Sequence, residues 1–208
     1  THQSVALLIY KNIRFQREKL ALFISIIFNP MIISLGAFGI LIFDRPHISE
    51  NANAIFFSCF LFSNLIPVLT VLILKKTGRI SDLDASRKEQ RFMPLFLGIV
   101  YSGIGFLVLN FLDAGNLTQG LMFCYMINTV IIMAITRLWK ISIHAAGVAA
   151  PIVALWVHGA HFPILMSGVM ILVGCSRVIL KAHSVSQVFA GLLLGLFLTW
   201  IQLHLFFL

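Results

Sequence analysis

Long apolar segments separated by short polar ones dominate the pattern of this chain. Seven of the segments approach the roughly 20 residues that a helix needs to cross about 30 Å of hydrocarbon. Each predicts a transmembrane helix, at approximately 20–43, 53–74, 93–112, 117–136, 142–158, 162–180 and 185–208. The pattern therefore predicts an all-α fold, a polytopic transmembrane helical bundle.

The number of spans is six or seven on this pattern. The turn Gly159-Ala160-His161-Phe162-Pro163 divides one apolar stretch and leaves about 17 residues to each of the fifth and sixth segments. Residues 1–19 mix four basic residues with apolar ones, which predicts an amphipathic interfacial helix and no cleavable signal peptide. We expect one membrane-embedded domain over 1–208, with a polar loop at 75–93.

Composition supports the membrane prediction. Of the 208 residues, 60% are apolar and only 11% are charged, whereas about a quarter of the residues in a soluble domain are charged. The odd number of cysteines argues against a disulfide framework and a metal cluster. All three lie in apolar runs, so we expect them to pack in the core: Cys59, Cys124 and Cys175.

The positive charges separate clearly between the two sides of the predicted bundle. When loops alternate across the membrane, fourteen of the fifteen Lys and Arg residues fall on one side, and only Arg45 falls on the other. The positive-inside rule explains part of this bias. Ten of the fourteen lie in three loops that follow even-numbered spans. These loops would meet at one membrane face, where they could hold a phosphate at the headgroup level.

Two of the basic loops also carry histidines. His183 and Gln187 are four residues apart at the start of a helix, so they share a face, and the amide oxygen can accept a hydrogen bond from one imidazole nitrogen. The other nitrogen is then free. The preceding basic loop offers Lys140, Ser142 and His144 before a helix start, where backbone N–H groups favour an anion. Histidines beside arginines predict phosphoryl transfer.

These segments resemble signatures of the type 2 phosphatidic acid phosphatase family, membrane relatives of the vanadium haloperoxidases. Ser176-Arg177, five residues and His183 resemble the third signature, Ser-Arg-x5-His-x3-Asp, although Gln187 stands in place of the final Asp. Ser142-Ile143-His144 resembles the second signature, Pro-Ser-Gly-His. The resemblance extends over roughly residues 75–195.

The first signature of that family, Lys-x6-Arg-Pro, has a more divergent counterpart. Arg91 stands for the arginine, Pro94 follows three residues later, and Arg87 or Lys88 replaces the lysine. At the lysine's own position, seven residues before Arg91, the chain has Asp84, which we interpret as a solvated loop acid. The alternative is that Asp82 or Asp84 helps to polarise a histidine of the site.

The resemblance implies a set of catalytic roles. His183 would be the nucleophile that forms a phosphohistidine, His144 the general acid, and Gln187 the group that orients the nucleophile. It implies no metal and no cofactor. Because an amide cannot stabilise an imidazolium with a negative charge, Gln187 predicts a slow enzyme. The expected phosphate-binding residues are Arg91, Arg177, Ser142, Lys88, Arg87, Ser176 and Lys140.

The expected substrate is an anionic lipid phosphate of the polyprenyl diphosphate, phosphatidic acid or phosphatidylglycerophosphate type. The sequence lacks the acidic clusters of a membrane prenyltransferase and the long acidic motif of a CDP-alcohol phosphotransferase. A non-catalytic lipid-phosphate binder or carrier derived from the same family is the alternative. Scattered loop charges favour anionic lipid over nucleic acid as the partner. We expect a multi-pass protein of a bacterial inner membrane.

One further pattern concerns helix packing. Gly191 and Gly195 form a small-xxx-small pattern in the last apolar segment. Such a pattern lets two helix backbones approach closely, so we expect it to pack this helix within the bundle rather than to form a dimer.

Overall fold

A computed structural model describes residues 2–44, 49–85 and 87–208, with the side chains of residues 2–10 left undescribed. Arg45 and His47 lie outside the described residues. Within those ranges the fold is all-α and contains no strand. The helices are α1 (His2–Ile27), α2 (Pro30–Phe43), α3 (Ala52–Phe60), α4 (Ile66–Lys76), α5 (Phe92–Phe111), α6 (Asn116–Leu138), α7 (Ile143–His158), α8 (Pro163–Ile179) and α9 (Val185–Phe206).

Among the described residues, five segments are long and apolar enough to cross a membrane: Lys11–Phe43, Ala52–Lys76, Lys88–Phe111, Asn116–Leu138 and Val185–Phe206. The fifth and sixth predicted spans correspond to α7 and α8, which are apolar but have only 16 and 17 residues. These are the two segments that the turn beginning at Gly159 shortens. Gly159 has a left-handed φ of 108° at the end of α7, a conformation that glycine adopts without a Cβ clash.

The N-terminal region differs from the prediction. Instead of an interfacial helix over 1–19 followed by a span from residue 20, α1 continues without a break to Ile27. The break falls at Asn29, whose side chain accepts a hydrogen bond from the backbone N–H of Met31 at 3.0 Å. Pro30 follows as the first residue of α2. Asn at the N-cap and Pro at the first helical position are a strong helix-start signal, and this local signal decides the boundary.

Helices α3 and α4 form one continuous rod joined by a π-helical turn at Leu61–Leu65. Pro67 lies in the first turn of α4 and has no N–H to donate to the preceding turn. A single π turn absorbs this interruption without ending the helix. The segment Ala52–Lys76 therefore keeps enough length to span the bilayer.

Close packing of α9 on α7 fixes one wall of the site described below. A Cβ added to Gly191 would lie 2.5 Å from the carbonyl oxygen of Ser142, and one added to Gly195 would lie 2.5 Å from that of Ala146. Only glycine permits this approach, so the packing role predicted for the two glycines is confirmed. The backbone N–H of Ser142 also donates to the carbonyl of Gln187 at 3.1 Å.

The outer surface is apolar, as a bilayer requires. Ile164, Leu138 and Phe111 are 90%, 88% and 86% exposed. Cys59 and Cys124 are buried, as predicted. The prediction for Cys175 was wrong, because this cysteine lies on the exposed side of α8. An apolar run in a membrane helix covers lipid-facing and core-facing positions alike, so hydrophobicity alone cannot distinguish them.

Candidate functional site

The three basic loops predicted to share one membrane face come together in the structure. They connect α4 to α5, α6 to α7, and α8 to α9. Arg91 of the first loop donates to the carbonyl of Ile141 in the second at 2.9 Å. Lys140 of the second donates to the carbonyl of Ala182 in the third at 2.7 Å. Cationic side chains thus join the loops by binding backbone oxygens.

Arg91 lies at the centre of this cluster and is only 3% exposed. Its Nε donates to the carbonyl of Ala85 at 2.9 Å, and its Nη1 donates to Ile141. Its Nη2 lies 3.5 Å from Nε2 of His183. None of these partners carries a negative charge, so the arginine keeps its full positive charge beside the histidine.

His183 is held by the first turn of α9. The side-chain oxygen of Gln187 lies 3.2 Å from Nδ1 of His183 and also accepts the backbone N–H of Ser184 at 3.2 Å. Ser184 and Gln187 form a capping box at the start of this helix. Because the amide oxygen can only accept, Nδ1 carries the proton and Nε2 keeps its lone pair. The hydrogen bond predicted from the spacing of His183 and Gln187 is confirmed.

The surroundings of His183 keep its imidazole neutral. Burial, followed by the positive charges of Arg91 and Lys140, lowers the pKa of His183 to about 3, and Arg177 acts in the same direction, while the Gln187 hydrogen bond opposes the shift. Burial and the neighbouring arginines also lower the pKa of the Lys140 ammonium. Near neutral pH the Nε2 atom is therefore an unprotonated lone pair facing an arginine.

Arg177 lies deeper in the same cluster, 3% exposed near the end of α8. Its Nη1 donates to the hydroxyl of Ser25 at 3.1 Å, and its Nη2 forms an ion pair with Asp84 at 2.7 Å. Its Nε is buried without a hydrogen-bond partner within the described ranges. The guanidinium thus retains a donor that a further acceptor could use.

Asp84 is exposed in its loop, as predicted, but it also has a partner that the sequence did not indicate. Its carboxylate pairs with the buried guanidinium of Arg177. Burial raises the pKa of Asp84, but the hydrogen bond and charge of Arg177 outweigh it and lower the pKa overall. Ser25 was missed as well. Its helix lies 152 residues from Arg177 in sequence, so no local pattern could have linked the two.

The linker between α6 and α7 contributes Ser142 and His144. Ser142 is completely buried, and its hydroxyl accepts the backbone N–H of Ala145 at 3.3 Å as the N-cap of α7. This cap orients the first turn that carries His144. His144 interacts electrostatically with Arg177 and Asp84, so it belongs to the same cluster.

Three predicted phosphate ligands do not join the cluster. Arg87 and Lys88 are exposed, and Lys88 lines a separate groove between α5 and α6. The short 3-10 turn Lys88–Gln90 directs neighbouring side chains to different sides, and Arg91 is the one that points inward. The hydroxyl of Ser176 is buried but donates to the carbonyl of Val173 at 2.7 Å within its own helix.

Backbone strain occurs beside two of the site residues. Ala85 and Lys181 have left-handed φ angles of 44° and 55°, an unfavourable conformation for residues with a Cβ. Ala85 follows Asp84 and presents its carbonyl to Arg91, and Lys181 precedes His183 by two residues. The described residues contain no group of three or more His, Cys, Asp or Glu side chains arranged to bind a metal ion.

The cluster combines a nucleophilic lone pair, two buried guanidinium groups and a second histidine. Such a set can bind the non-bridging oxygens of a phosphate and attack its phosphorus. Comparisons with known proteins give no further guide to the family, because no family profile, no curated protein and no solved structure matches the chain.

Proposed function

We propose that this protein is a membrane phosphatase that hydrolyses a lipid phosphate or diphosphate through a phosphohistidine intermediate. The observation that carries the proposal is the 3.5 Å separation between Nη2 of Arg91 and Nε2 of His183. A phosphate bound to Arg91 would have its phosphorus close to a lone pair that is already oriented by Gln187. We also propose that the chain is a divergent member of the type 2 phosphatidic acid phosphatase family.

In the proposed first step, the lone pair of Nε2 on His183 attacks phosphorus, and the bond from phosphorus to the lipid oxygen breaks. His144 donates a proton to that leaving oxygen. Arg91 and the spare donor of Arg177 bind the non-bridging oxygens, where negative charge increases during the transfer. A set of fixed guanidinium groups stabilises this charge without reorganising during the reaction.

In the second step, a water oxygen attacks phosphorus, and the bond between phosphorus and Nε2 breaks. His144, now deprotonated, accepts a proton from the water, so both histidines return to their starting states. The products are inorganic phosphate and the leaving group, which is the free lipid alcohol from a monophosphate and the lipid monophosphate from a diphosphate.

The membrane arrangement supports a lipid substrate. We propose seven crossing segments: Lys11–Phe43, Ala52–Lys76 and α5 to α9. Two helices separate the first basic loop from the second, and two more separate the second from the third, so each pair brings the chain back to the same face. The site would then lie at the headgroup level of a multi-pass protein, which we assign to a bacterial inner membrane.

A test of this function is phosphate release by the full chain purified in detergent, with a chelator present. Polyprenyl diphosphate, polyprenyl phosphate, phosphatidic acid and phosphatidylglycerophosphate would be compared, with His183→Ala as the control. Release that is lost in this variant supports the proposal. Acid-labile ³²P on the wild type, absent from His183→Ala, would identify the phosphohistidine directly.

A second function, non-catalytic binding of a lipid phosphate, is favoured by one specific observation. The residue that contacts Nδ1 of His183 is the neutral Gln187 and not a carboxylate, so an imidazolium formed at His183 would lack a counter-charge. Binding requires the arginines but not the histidine lone pair. No release from any of the four lipids, together with binding that Arg177→Ala abolishes and His183→Ala preserves, would establish the binder and overturn the enzyme.

A further inference from the structure

A groove with both charged and apolar walls lies at the same end of the bundle as the His183 site. It has a volume of about 220 Å³ and runs between the start of α5 and the end of α6. Its polar and charged lining residues are Lys88, Glu89, Thr136 and Arg137, and its apolar ones are Phe92, Leu95 and Met133.

The groove is separate from the proposed catalytic cluster. Arg91, only three residues after Lys88, turns its guanidinium towards Ala85, Ile141 and His183 instead. Neither this arginine nor any histidine of the cluster lines the groove. The two neighbouring cations therefore serve different sites.

Thr136 contributes a buried side chain to the wall of the groove. It is 5% exposed, and its hydroxyl makes no hydrogen bond within the described part of the chain. A buried hydroxyl without a partner is unfavourable. An acceptor from a bound molecule would remove that penalty.

The surroundings of Thr136 select a negatively charged acceptor. Arg137 is the next residue along α6, and its guanidinium carbon lies 5.9 Å from the centre of the Phe92 ring, within the range of a cation–π contact. Helix α5 begins beside the groove without a side-chain cap, so the positive end of its dipole is not occupied by a capping oxygen. Lys88 adds a second cation.

The net charge of the groove further restricts the class of ligand that it would bind. Glu89 also lines the groove, so the cations Lys88 and Arg137 with this carboxylate leave a net charge of about +1. A phosphodiester carries a single negative charge and would balance it. The apolar side chains of Leu95 and Met133 offer a surface that an acyl chain can cover.

We propose that this groove binds an anionic glycerophospholipid as a resident lipid. The phosphodiester lies between Lys88 and Arg137, the Thr136 hydroxyl donates to a phosphate oxygen, and an acyl chain covers the apolar part. This binding is independent of the proposed phosphatase reaction, because it uses none of the catalytic residues.

The test is native mass spectrometry of the full chain, titrated in detergent with phosphatidylglycerol, phosphatidylethanolamine or phosphatidylcholine. His183→Ala is the background throughout, so that turnover cannot remove the lipid. We expect phosphatidylglycerol to bind at least fivefold more tightly than phosphatidylcholine. Lys88→Gln and Arg137→Gln should each weaken phosphatidylglycerol by about fivefold, the effect of one basic side chain near a phosphate.

Matched variants distinguish binding in this groove from a general effect of the surface charge. Lys76→Gln removes an exposed lysine at the end of α4 that does not line the groove, and it should leave the affinity unchanged. Thr136→Val keeps the shape of the side chain and should weaken binding about two- to fivefold. Glu89→Gln should strengthen phosphatidylglycerol, whereas loss of phosphatidylethanolamine in that variant would show a zwitterionic lipid instead and overturn the proposal.

Three further outcomes would also overturn it. Equal binding of phosphatidylglycerol and phosphatidylcholine would mean that the cations do not select the headgroup. Displacement of the lipid by millimolar inorganic phosphate would make this a site for free anions. Loss of binding in Arg177→Ala, with no change in Arg137→Gln, would put the lipid in the His183 cluster.

Discussion

Two buried polar clusters in this bundle have similar burial and very different chemistry. One is the cluster around Arg91 and His183 at the ends of the helices. The other lies between α6 and α9, where Asn128 donates to the hydroxyl of Thr199 at 2.9 Å and Gln202 donates to Asn128 at 2.8 Å. All five of these side chains are at most 6% exposed.

The difference lies in the charge of the side chains and in the chemistry of their available atoms. Asn128, Thr199 and Gln202 are neutral and bind one another, which joins two apolar helices by hydrogen bonds. The atom this cluster leaves unpaired within the described residues is an amide oxygen, Oε1 of Gln202, which is not a nucleophile. At the other cluster, Arg91 is charged and its hydrogen bonds go to backbone carbonyls, while Nε2 of His183 lies 3.5 Å from Nη2 of this arginine with its lone pair unprotonated. Burial of polar groups therefore does not by itself indicate chemistry. A charged group that binds no carboxylate directly, next to a nucleophilic atom, does indicate chemistry.

The prediction with the largest expected effect compares one variant from each cluster. His183→Ala should lower lipid phosphate release by at least about 10³-fold, because the nucleophile is removed. Asn128→Leu should leave the rate unchanged and lower the free energy of unfolding by about 1–3 kcal/mol, since the Gln202 amide loses its acceptor. Rates by phosphate release and unfolding by denaturant titration are the measurements. A large loss of rate in Asn128→Leu would contradict the distinction.

Arg91→Lys should have the next largest effect. A lysine keeps the charge but cannot bind Ala85, Ile141 and a phosphate in the fixed planar geometry of a guanidinium. We expect about a 10²-fold fall in kcat/KM, similar to the loss of one donor that stabilises a transition state. Lys140→Arg, which retains the charge at a neighbouring position, is the control and should lose much less.

Gln187→Glu tests the role of the residue that contacts Nδ1 of His183, the proposed nucleophile. Glutamate has the same length as glutamine, so it can keep the capping box of α9 and the contact with Nδ1. Its negative charge would stabilise the imidazolium that forms when Nε2 of His183 bonds to phosphorus, and we expect turnover to rise about tenfold. Single-turnover kinetics would separate formation of the intermediate from its hydrolysis. An unchanged rate in a folded variant would argue against His183 as the nucleophile.

Asp84→Asn tests whether the Asp84 carboxylate competes with a phosphate ligand for Arg177. Removing the negative charge leaves the guanidinium freer to bind a phosphate oxygen, so a phosphate analogue such as orthovanadate should bind about fivefold more tightly. Asp113→Asn, at the opposite end of α5, should not change this affinity. Weaker binding in Asp84→Asn would mean that the carboxylate orients Arg177 rather than competing with the ligand. Isothermal titration calorimetry in detergent measures both variants.

The smallest expected effect is that the imidazole of His183 does not titrate near neutral pH. Because the pKa of His183 is about 3, its imidazole signals should not change between pH 8 and 5, whereas an ordinary histidine titrates near 6.5. The unfolded chain binds a proton near pH 6.5 and the folded chain does not. The contribution of the neutral His183 to the free energy of unfolding is therefore complete above about pH 6.5 and is lost as the pH falls towards 3. Nitrogen NMR of labelled histidines, assigned with His183→Ala, measures this, and a midpoint near 6.5 would contradict it.

Local spacing was enough for some of these features. The four-residue spacing of His183 and Gln187 predicted their hydrogen bond, which the structure contains. Its physical reason differs from a shared helical face, because His183 precedes α9 and the capping box at Ser184 turns the Gln187 side chain back towards it. The Asn29-Pro30 signal also lies in the sequence, and it was overlooked because the hydrophobic run continues across it. The outward direction of Arg87 and Lys88 depends on how a 3-10 turn meets α6, and no local pattern contains that information.

The sequence by itself determined the all-α membrane class, the long apolar helices and the accumulation of basic loops at one end, since these follow from hydrophobic length and charge. Tertiary structure alone decided that Asp84 pairs with Arg177 and that Ser25 reaches the same guanidinium. Both partners lie more than 90 residues away along the chain. Contacts at such distances depend on how the helices pack, because backbone geometry relates only residues within a turn or two.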